Sequence, residues 1–187
     1  TAAGSGAAFA QAAAPTGGAA WDLGEIYPSD AAWETERQAI LRAIPTLSSF
    51  KGRLGASAAT LKAALQAQSD INKRASRLYT YASLKADEDL RVAPNQERKQ
   101  KAQDVFTALG EATAWASPEI VALGSARIEA LLAADRGLDK FAFGLRDILR
   151  LAPHTLSPAE EQLLAAAQTP LAGPGDIRNQ LAASDIP

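Results

Sequence analysis

The sequence predicts an all-α fold, a multi-helix array built around one long antiparallel helical hairpin. Strand patterns are nearly absent, since no run of residues alternates Val, Ile and Thr with polar side chains. Apolar residues instead recur every three or four positions over long stretches, which is typical of amphipathic helices. Alanine inflates the hydrophobic share of 47% and favours helix further. The 187 residues suffice for one domain with a real core, or for one domain plus a tail.

Charge and composition exclude several classes of protein. The net charge is −2 and the isoelectric point about 5.5, and no basic cluster is interleaved with aromatic residues. We therefore expect no nucleic-acid partner. The sequence has no cysteine, so neither a disulfide framework nor a thiolate metal site is predicted. No apolar run reaches the roughly 18 residues of a membrane-spanning helix, so no membrane span is expected.

Residues 1–20 form an Ala/Gly-rich tail or the remnant of an export signal. Ala8-Phe9-Ala10 has the small-x-small form of a signal-peptidase site, although the hydrophobic and basic parts of a signal do not precede it. A flexible linker is the alternative interpretation. The pattern favours an exported or periplasmic location, with a cytoplasmic location as the alternative.

Residues 21–187 form the organised part, which we expect to be one helical lobe. Its first segment is interpreted as an extended strap on the helices, carrying Trp21, Leu23, Ile26 and Tyr27. Ser29 or Asp30 can cap the helix that follows. That helix is predicted to run to about Ile44, where Pro45 marks its end.

The hairpin covers about residues 57–116, with Ser57 as the cap of its first arm. The first arm carries an apolar face of Leu61, Ala64, Leu65, Ile71, Ala75, Leu78, Tyr79 and Ala82, and the second of Ala102, Val105, Leu109, Ala112 and Ala116. Asp87-Glu88-Asp89 is predicted to be the solvated turn between the arms, and Pro94 opens the second arm. Tyr79 lies on the apolar face, whereas Tyr81 lies off it and is a candidate contact for a partner or substrate.

Further helices are predicted over about residues 118–183. Ser117-Pro118-Glu119 indicates a helix start, with a cap, a proline at the first helical position and then an acid. A second helix is expected over 138–151, and Ser157 to Glu160 form a capping box. Gly173-Pro174-Gly175 is predicted to be a turn before a last short helix at 176–183.

No constellation of catalytic residues emerges from these patterns. His154 is the only histidine, and a zinc site needs about three protein ligands, so a structural or surface role is favoured. Glu160 and Glu161 are neighbours on a helix and point about 100° apart, so they do not converge on one substrate. No serine lies in a nucleophile elbow. We therefore assign no catalytic, cofactor-binding or metal-binding residue, and only Tyr81 is a candidate for lining a substrate channel.

Five landmarks nevertheless occur in a familiar order. They are Trp21-Asp22-Leu23 with Ile26-Tyr27-Pro28-Ser29, Phe50-Lys51-Gly52-Arg53-Leu54, Leu78-Tyr79-Thr80-Tyr81-Ala82-Ser83-Leu84, Ser117-Pro118-Glu119, and Pro153-His154-Thr155-Leu156-Ser157-Pro158-Ala159-Glu160-Glu161. This order resembles the beginning of the oligoendopeptidase F family, bacterial zinc metallopeptidases related to thimet oligopeptidase. The resemblance spans Trp21 to Pro187.

The resemblance implies an all-helical peptidase with a deep channel that admits short peptides. This chain would be its N-terminal, non-catalytic lobe, a wall and lid of that channel. The family's zinc is held by a His-Glu-x-x-His motif and a further glutamate, none of which occurs here, so no metal ligand or catalytic residue carries over. The implied partner is the C-terminal catalytic region of the same protein, joined covalently or as a nicked chain. Tyr81 and the hairpin tip would limit access to the channel.

The residues alone leave a second hypothesis open. Because they contain no catalytic constellation, the chain could be a non-enzymatic, exported helical module that binds or scaffolds a partner. A His-Glu-x-x-His motif further along the same reading frame would decide for the peptidase. Binding to a membrane surface is not favoured, because the polar helix faces mix acids with bases instead of forming a basic stripe.

Overall fold

The computed structural model describes residues 22–88 and 91–154, and positions 163, 167, 171, 173–175, 177–179 and 181–182. The predicted all-α class is confirmed, since the described residues contain helices and no strand. Among these residues, no helix is both long enough and apolar enough to cross a bilayer.

Five α-helices account for most of the described chain. They are α1 (Asp30–Ala43), α2 (Ala58–Glu88), α3 (Ala93–Thr113), α4 (Ala116–Ala134) and α5 (Asp139–Leu151). Four short 3₁₀ segments precede or join them, at Leu23–Glu25, Ile44–Phe50, Arg136–Leu138 and Ala152–His154. The strap before α1 is thus partly wound into a 3₁₀ turn, where an extended segment was expected.

Two predicted helix caps are confirmed and one is wrong. The Ser29 hydroxyl accepts the backbone N–H of Ala32 at 3.1 Å, and the Ser57 hydroxyl accepts that of Thr60 at 3.0 Å. Ser117, in contrast, does not cap α4. That helix begins one residue earlier, and its cap position, Trp115, makes no side-chain hydrogen bond.

The predicted hairpin turn also lies elsewhere than expected. Asp87 and Glu88 belong to the last turn of α2, and Lys85 contacts the Glu88 carboxylate at 3.1 Å along that helix. Asp89 lies outside the described residues. The interpretation of Asp87 and Glu88 as a turn is therefore wrong, because the helical pattern continues through them.

A further correction concerns residues 173–175. Gly173, Pro174 and Gly175 are helical, as are all other described positions from 163 to 182, so the predicted turn is wrong there. The predicted N-terminal tail at 1–20, Trp21 and the capping box at 157–160 lie outside the described residues.

The described residues fall into two compact units. The first draws on Thr1–Arg42 and Lys73–Thr107, and the second on Ala43–Asn72 and Ala108–Pro187. α2 and α3 each contribute residues to both units. Each unit has a core of its own.

In the first unit, α1 packs against the hairpin arms. Its core comprises Leu23, Tyr27, Trp33, Ile40, Ala75, Leu78, Tyr81, Ala82, Ala86, Ala102 and Val105. The buried Trp33 indole donates to the Leu78 carbonyl at 2.9 Å, which satisfies the one polar atom of that side chain. The arms are antiparallel, because the Asn95 amide donates to the Lys85 carbonyl at 2.9 Å and the Tyr79 ring meets the Phe106 ring edge-on at 5.9 Å.

In the second unit, α4 and α5 pack against the first turns of α2. The core comprises Leu54, Leu61, Ala64, Ile120, Ile128, Leu131, Leu132, Leu138 and Leu145. α4 is kinked at Gly124, where φ is 75° and ψ is 164°. Only glycine adopts this backbone conformation without strain, so this residue sets the shape of α4.

Candidate functional site

Tyr81, the one side chain that the sequence singles out as a channel contact, is buried. It is only 4% exposed, its ring meets the Tyr27 ring edge-on at 5.6 Å, and its hydroxyl donates to an Asp30 oxygen at 3.0 Å. Burial, followed by the hydrogen bond to Asp30, raises the pKa of the Tyr81 hydroxyl. The interpretation that Tyr81 lies off the buried face is therefore wrong. It packs within the first unit instead.

Asp30 is the junction of a polar network around that ring. Its second oxygen accepts from Arg98 at 2.5 Å, so one carboxylate at the start of α1 joins α2 and α3. Arg98 also donates to the Asn95 side chain at 2.8 Å and lies over the Trp33 ring. Because these groups bond to one another across α1, α2 and α3, the network positions the three helices.

A second charged group lies on the outside of α1. The Glu34 carboxylate accepts two bonds from Arg37, at 2.7 and 2.9 Å, and one from Gln38 at 2.8 Å. The Arg37 hydrogen bonds lower the pKa of Glu34 to about 2, from an ordinary value of 4.5. This carboxylate is therefore ionised at any physiological pH, and it is not suited to accept a proton in catalysis.

Glu119 organises the loop before α2 in the second unit. One carboxylate oxygen accepts the backbone N–H of Gly52 and the other that of Leu54, each at 2.7 Å. The sequence predicts Glu119 only as a favourable acid in a first helical turn. Its actual partners lie 65 and 67 residues earlier in the chain, a distance that no local pattern encodes.

The second unit also carries an open apolar groove. Its volume is about 350 Å³, and it lies between the start of α4 and the end of α5, lined by Ser117, Pro118, Val121, Ile148, Leu151 and Ala152. Val121 is 40% and Leu151 42% exposed along it. Sequence reasoning missed this groove, although Val121 stands outside the apolar spacing of Ile120 and Leu123.

The zinc ion that the resemblance implies does not fit the described part of this chain. Within residues 22–88 and 91–154, no three side chains of His, Cys, Asp or Glu come together in a way that could hold a metal. His154 is exposed at the end of the last 3₁₀ segment. The described residues therefore provide no site at which zinc could take part in catalysis.

Comparisons with known proteins agree with the landmarks found in the sequence. A family model described as oligopeptidase F matches residues 119–187. Oligopeptidase PepF of Bacillus subtilis (strain 168) is 36% identical over 166 residues, which cover 89% of this chain and 25% of that protein. Group B oligopeptidase PepB of Streptococcus agalactiae serotype III (strain NEM316) is 31% identical over 166 residues, covering 89% of this chain and 28% of that protein.

The fold agrees as well. The crystal structure of oligoendopeptidase-F from Enterococcus faecium superposes with a TM-score of 0.71, covering 84% of this chain and 31% of that one. Identity over this match is 24%, so it shows a shared fold alone.

In sequence and in fold, this chain is similar to part of the oligopeptidase F proteins. More particularly, it corresponds to an N-terminal region of an oligoendopeptidase F, as the sequence predicts. The chain spans about a quarter of the length of the curated relatives it matches.

Proposed function

We propose that this chain is the non-catalytic N-terminal lobe of a zinc-dependent endopeptidase that hydrolyses short peptides. In this proposal it forms a wall and lid of the substrate channel, and the catalytic region of the same protein supplies the metal ligands. The observation that carries the proposal is the match to oligopeptidase PepF, which extends over 89% of this chain but only 25% of that relative. A lobe of this size is expected to shape access to a site that other residues build.

The described residues support this division of labour. The Asp30–Arg98 network and the Glu119 bonds hold helices and a loop in place, and each of these groups has partners within the protein. The Glu34 carboxylate is held ionised by Arg37. A wall needs rigid helices more than reactive groups, and these contacts supply rigidity.

The alternative of a non-enzymatic binding module is less favoured. The relatives are named as peptidases, and the match to them extends over most of the chain. The open groove beside α4 and α5 is the feature that the alternative would use, and it serves equally as a contact within a larger peptidase.

Peptide hydrolysis and metal content test the proposal directly. The full-length protein and the 187-residue chain are purified in parallel, and each is assayed with a quenched fluorescent peptide of about eight residues and by elemental analysis for zinc. We expect the full-length protein to bind zinc and cleave the peptide, and to lose activity on chelation. The 187-residue chain should do neither.

Two results would contradict the proposal. Cleavage by the 187-residue chain would place catalysis within it. A full-length sequence without a His-Glu-x-x-His motif, together with no cleavage by the full-length protein, would favour the binding module.

A further inference from the structure

Exposed apolar side chains are concentrated in the later part of the chain. Apart from Val92, every large hydrophobic residue that the described structure exposes lies beyond residue 120: Val121, Phe143, Leu151, Leu163, Leu171, Ile177 and Leu181. Several are far out in solvent, with Leu163 71% and Leu171 73% exposed. Single exposed apolar residues are common on protein surfaces, but so many in one part of the chain make that part a candidate for a contact surface.

The groove gives this part of the chain a concave feature. Val121 and Leu151 form its exposed rim, with Pro118, Ile148 and Ala152 as further lining. Its volume of about 350 Å³ accommodates one or two large side chains. Its lining is mostly hydrocarbon, so a partner must offer apolar side chains and no unpaired charge.

The comparisons restrict what covers this surface. The family model matches residues 119–187, so the exposed apolar residues beyond 120 lie within the matched segment. The relatives are about four times as long as this chain's match to them. Most of such a polypeptide therefore lies outside the matched quarter and has its own apolar surface to bury.

We infer that the groove and the exposed side chains of Leu163, Leu171, Ile177 and Leu181 belong to the docking surface for the remaining, catalytic region of the same polypeptide. This inference rests on the proposed function and adds to it the surface through which the lobe is held. Val121 lies at the edge of the groove, and Leu171 represents the later helical positions. In the complete protein both side chains are buried.

Cysteine labelling tests this surface with little interference, because the 187 residues contain no native cysteine. Val121→Cys and Leu171→Cys are made separately, in the 187-residue chain and in the full-length protein. Ala130→Cys, at an exposed position of α4, is the matched control. Modification by N-ethylmaleimide is followed over time by peptide-resolved mass spectrometry, so that cysteines elsewhere in the full-length protein do not interfere.

In the 187-residue chain, the cysteines at 121 and 171 should react as fast as the one at 130. In the full-length protein, both should react slower by about tenfold or more, because a buried thiol is inaccessible to the reagent, whereas the control should be unchanged. Equal rates in both proteins would overturn the inference. Protection in the 187-residue chain that grows with its concentration would assign the surface to a second copy, and would overturn it as well.

Peptide hydrolysis by the same full-length samples keeps the two proposals apart. If the full-length protein hydrolyses the peptide but its cysteines at 121 and 171 react as fast as in the 187-residue chain, the docking surface is rejected and the proposed peptidase lobe is retained. If the two cysteines react slowly in the full-length protein but no peptide is hydrolysed, the proposed peptidase function is rejected and the docking surface is retained.

Discussion

At the scale of single residues, Glu119 makes a contact whose loss can be measured. Glu119→Gln keeps the size of the side chain but turns one acceptor into an amide, which then opposes the backbone N–H of Gly52 or Leu54. We expect the free energy of unfolding to fall by about 1–2 kcal/mol, since a charge-assisted bond is lost and a partly buried donor is left unpaired. Urea denaturation monitored by circular dichroism measures the loss.

Asp139→Asn provides the control for that change. Asp139 is also an acid in a first helical turn, but its ion pair with Arg136 is exposed, at 3.7 Å. Its loss should cost less than about 0.5 kcal/mol. If the two variants were equally destabilised, the effect would belong to the helix dipole and not to the loop contact.

Gly124 and Gly110 form a matched pair for backbone conformation. A Cβ at either position would meet no atom within 4 Å, so steric clash does not distinguish them. Gly124 has a positive φ of 75°, whereas Gly110 lies within α3. Gly124→Ala should therefore destabilise by about 1–3 kcal/mol. Gly110→Ala should stabilise by about 0.5–1 kcal/mol. Thermal unfolding of both variants shows whether each change raises or lowers the melting temperature. A higher melting temperature for Gly124→Ala would contradict the prediction and show that α4 can straighten without loss of stability.

Glu34 makes stability depend on acid pH. Its pKa is lowered from 4.5 to about 2 in the folded chain by the hydrogen bonds from Arg37, so its contribution is complete above about pH 4.5 and disappears as pH falls towards 2. The side chain is 42% exposed, so solvent screening keeps this contribution below about 1 kcal/mol.

The measurement is the difference in unfolding free energy between the native chain and Glu34→Gln, taken from pH 7 down to pH 2. The difference should shrink across that window. Glu111→Gln, at an exposed position of α3, corrects for the general loss of one negative charge. A difference that stays constant with pH would mean that the carboxylate charge is not what stabilises α1.

The burial of Tyr81 shows why periodicity alone missed the buried network. The pattern of α2 correctly predicts which alanines and leucines are buried, including Leu61, Ala75 and Leu78. It takes no account of α1, which packs on a second face and brings Asp30 to the Tyr81 hydroxyl from 51 residues away. Sequence reasoning placed the polar hydroxyl in solvent because its partner is remote in the chain.

At the scale of helices, the hairpin was predictable and its exact ends were not. α2 runs for 31 residues, and its apolar spacing, supported by the Ser57 cap, indicates a helix without any tertiary information. The start of α4 was missed by two residues for a physical reason. Trp115 already has helical φ and ψ of −72° and −20°, so Ser117 falls inside the helix, where it cannot cap.

The kink in α4 leaves a trace in the sequence. Apolar residues follow helical spacing at the buried Ile120 and the partly buried Leu123, but the next buried one, Ile128, comes five positions after Leu123. Gly124 lies inside this interruption. A glycine where the helical spacing of apolar residues is interrupted indicates a kink, although it does not predict the sign of φ.

The hairpin tip gives a prediction about access to the channel. The arms are adjacent where the Asn95 amide donates to the Lys85 carbonyl, so the change to make is the replacement of residues 88–92 by two glycines. If the hairpin limits access, this change in the full-length protein should shift cleavage towards longer peptides and leave zinc content unaltered. A ladder of peptides of increasing length, analysed by mass spectrometry, together with elemental analysis, measures both.

A glycine introduced into another loop provides a control for added flexibility. Gly52 and its neighbours form a loop in the second unit, and Lys51→Gly at an exposed position there adds flexibility without touching the hairpin. Peptide preference should then stay as in the unmodified protein. Loss of zinc on shortening the tip would instead show that the hairpin supports the metal site.

At the scale of the whole molecule, the distribution of exposed apolar surface is uneven. The first unit exposes Val92 as its one large hydrophobic residue within the described structure, whereas the second exposes the groove and the positions at 163–181. Composition carries a trace of this imbalance, because leucine, isoleucine, valine and phenylalanine are more frequent in the second unit than in the first. What the sequence did reveal at this scale is the family, through landmarks spread from the strap to residue 161.

Dye binding checks this imbalance in the isolated chain. The double substitution Val121→Thr with Leu171→Gln should reduce the fluorescence of bound anilinonaphthalene sulfonate, because it removes apolar contact surface. The melting temperature should hardly change, since neither side chain lies in a core. Val92→Thr, on the first unit, should leave the dye signal as it was, and an equal drop would show that the dye does not report on the groove.

Trp33, whose indole donates to the Leu78 carbonyl, is also an intrinsic fluorescent probe of the first unit. Trp33 is 2% exposed in that unit, whereas the half-buried Trp115 belongs to the second, where it donates to the Ala112 carbonyl at 2.7 Å. With Trp21 and either of the other two replaced by phenylalanine, the remaining indole emits from one unit alone. Its intrinsic fluorescence then follows the melting of that unit separately, so the chain carries a spectroscopic reporter for each half of its fold.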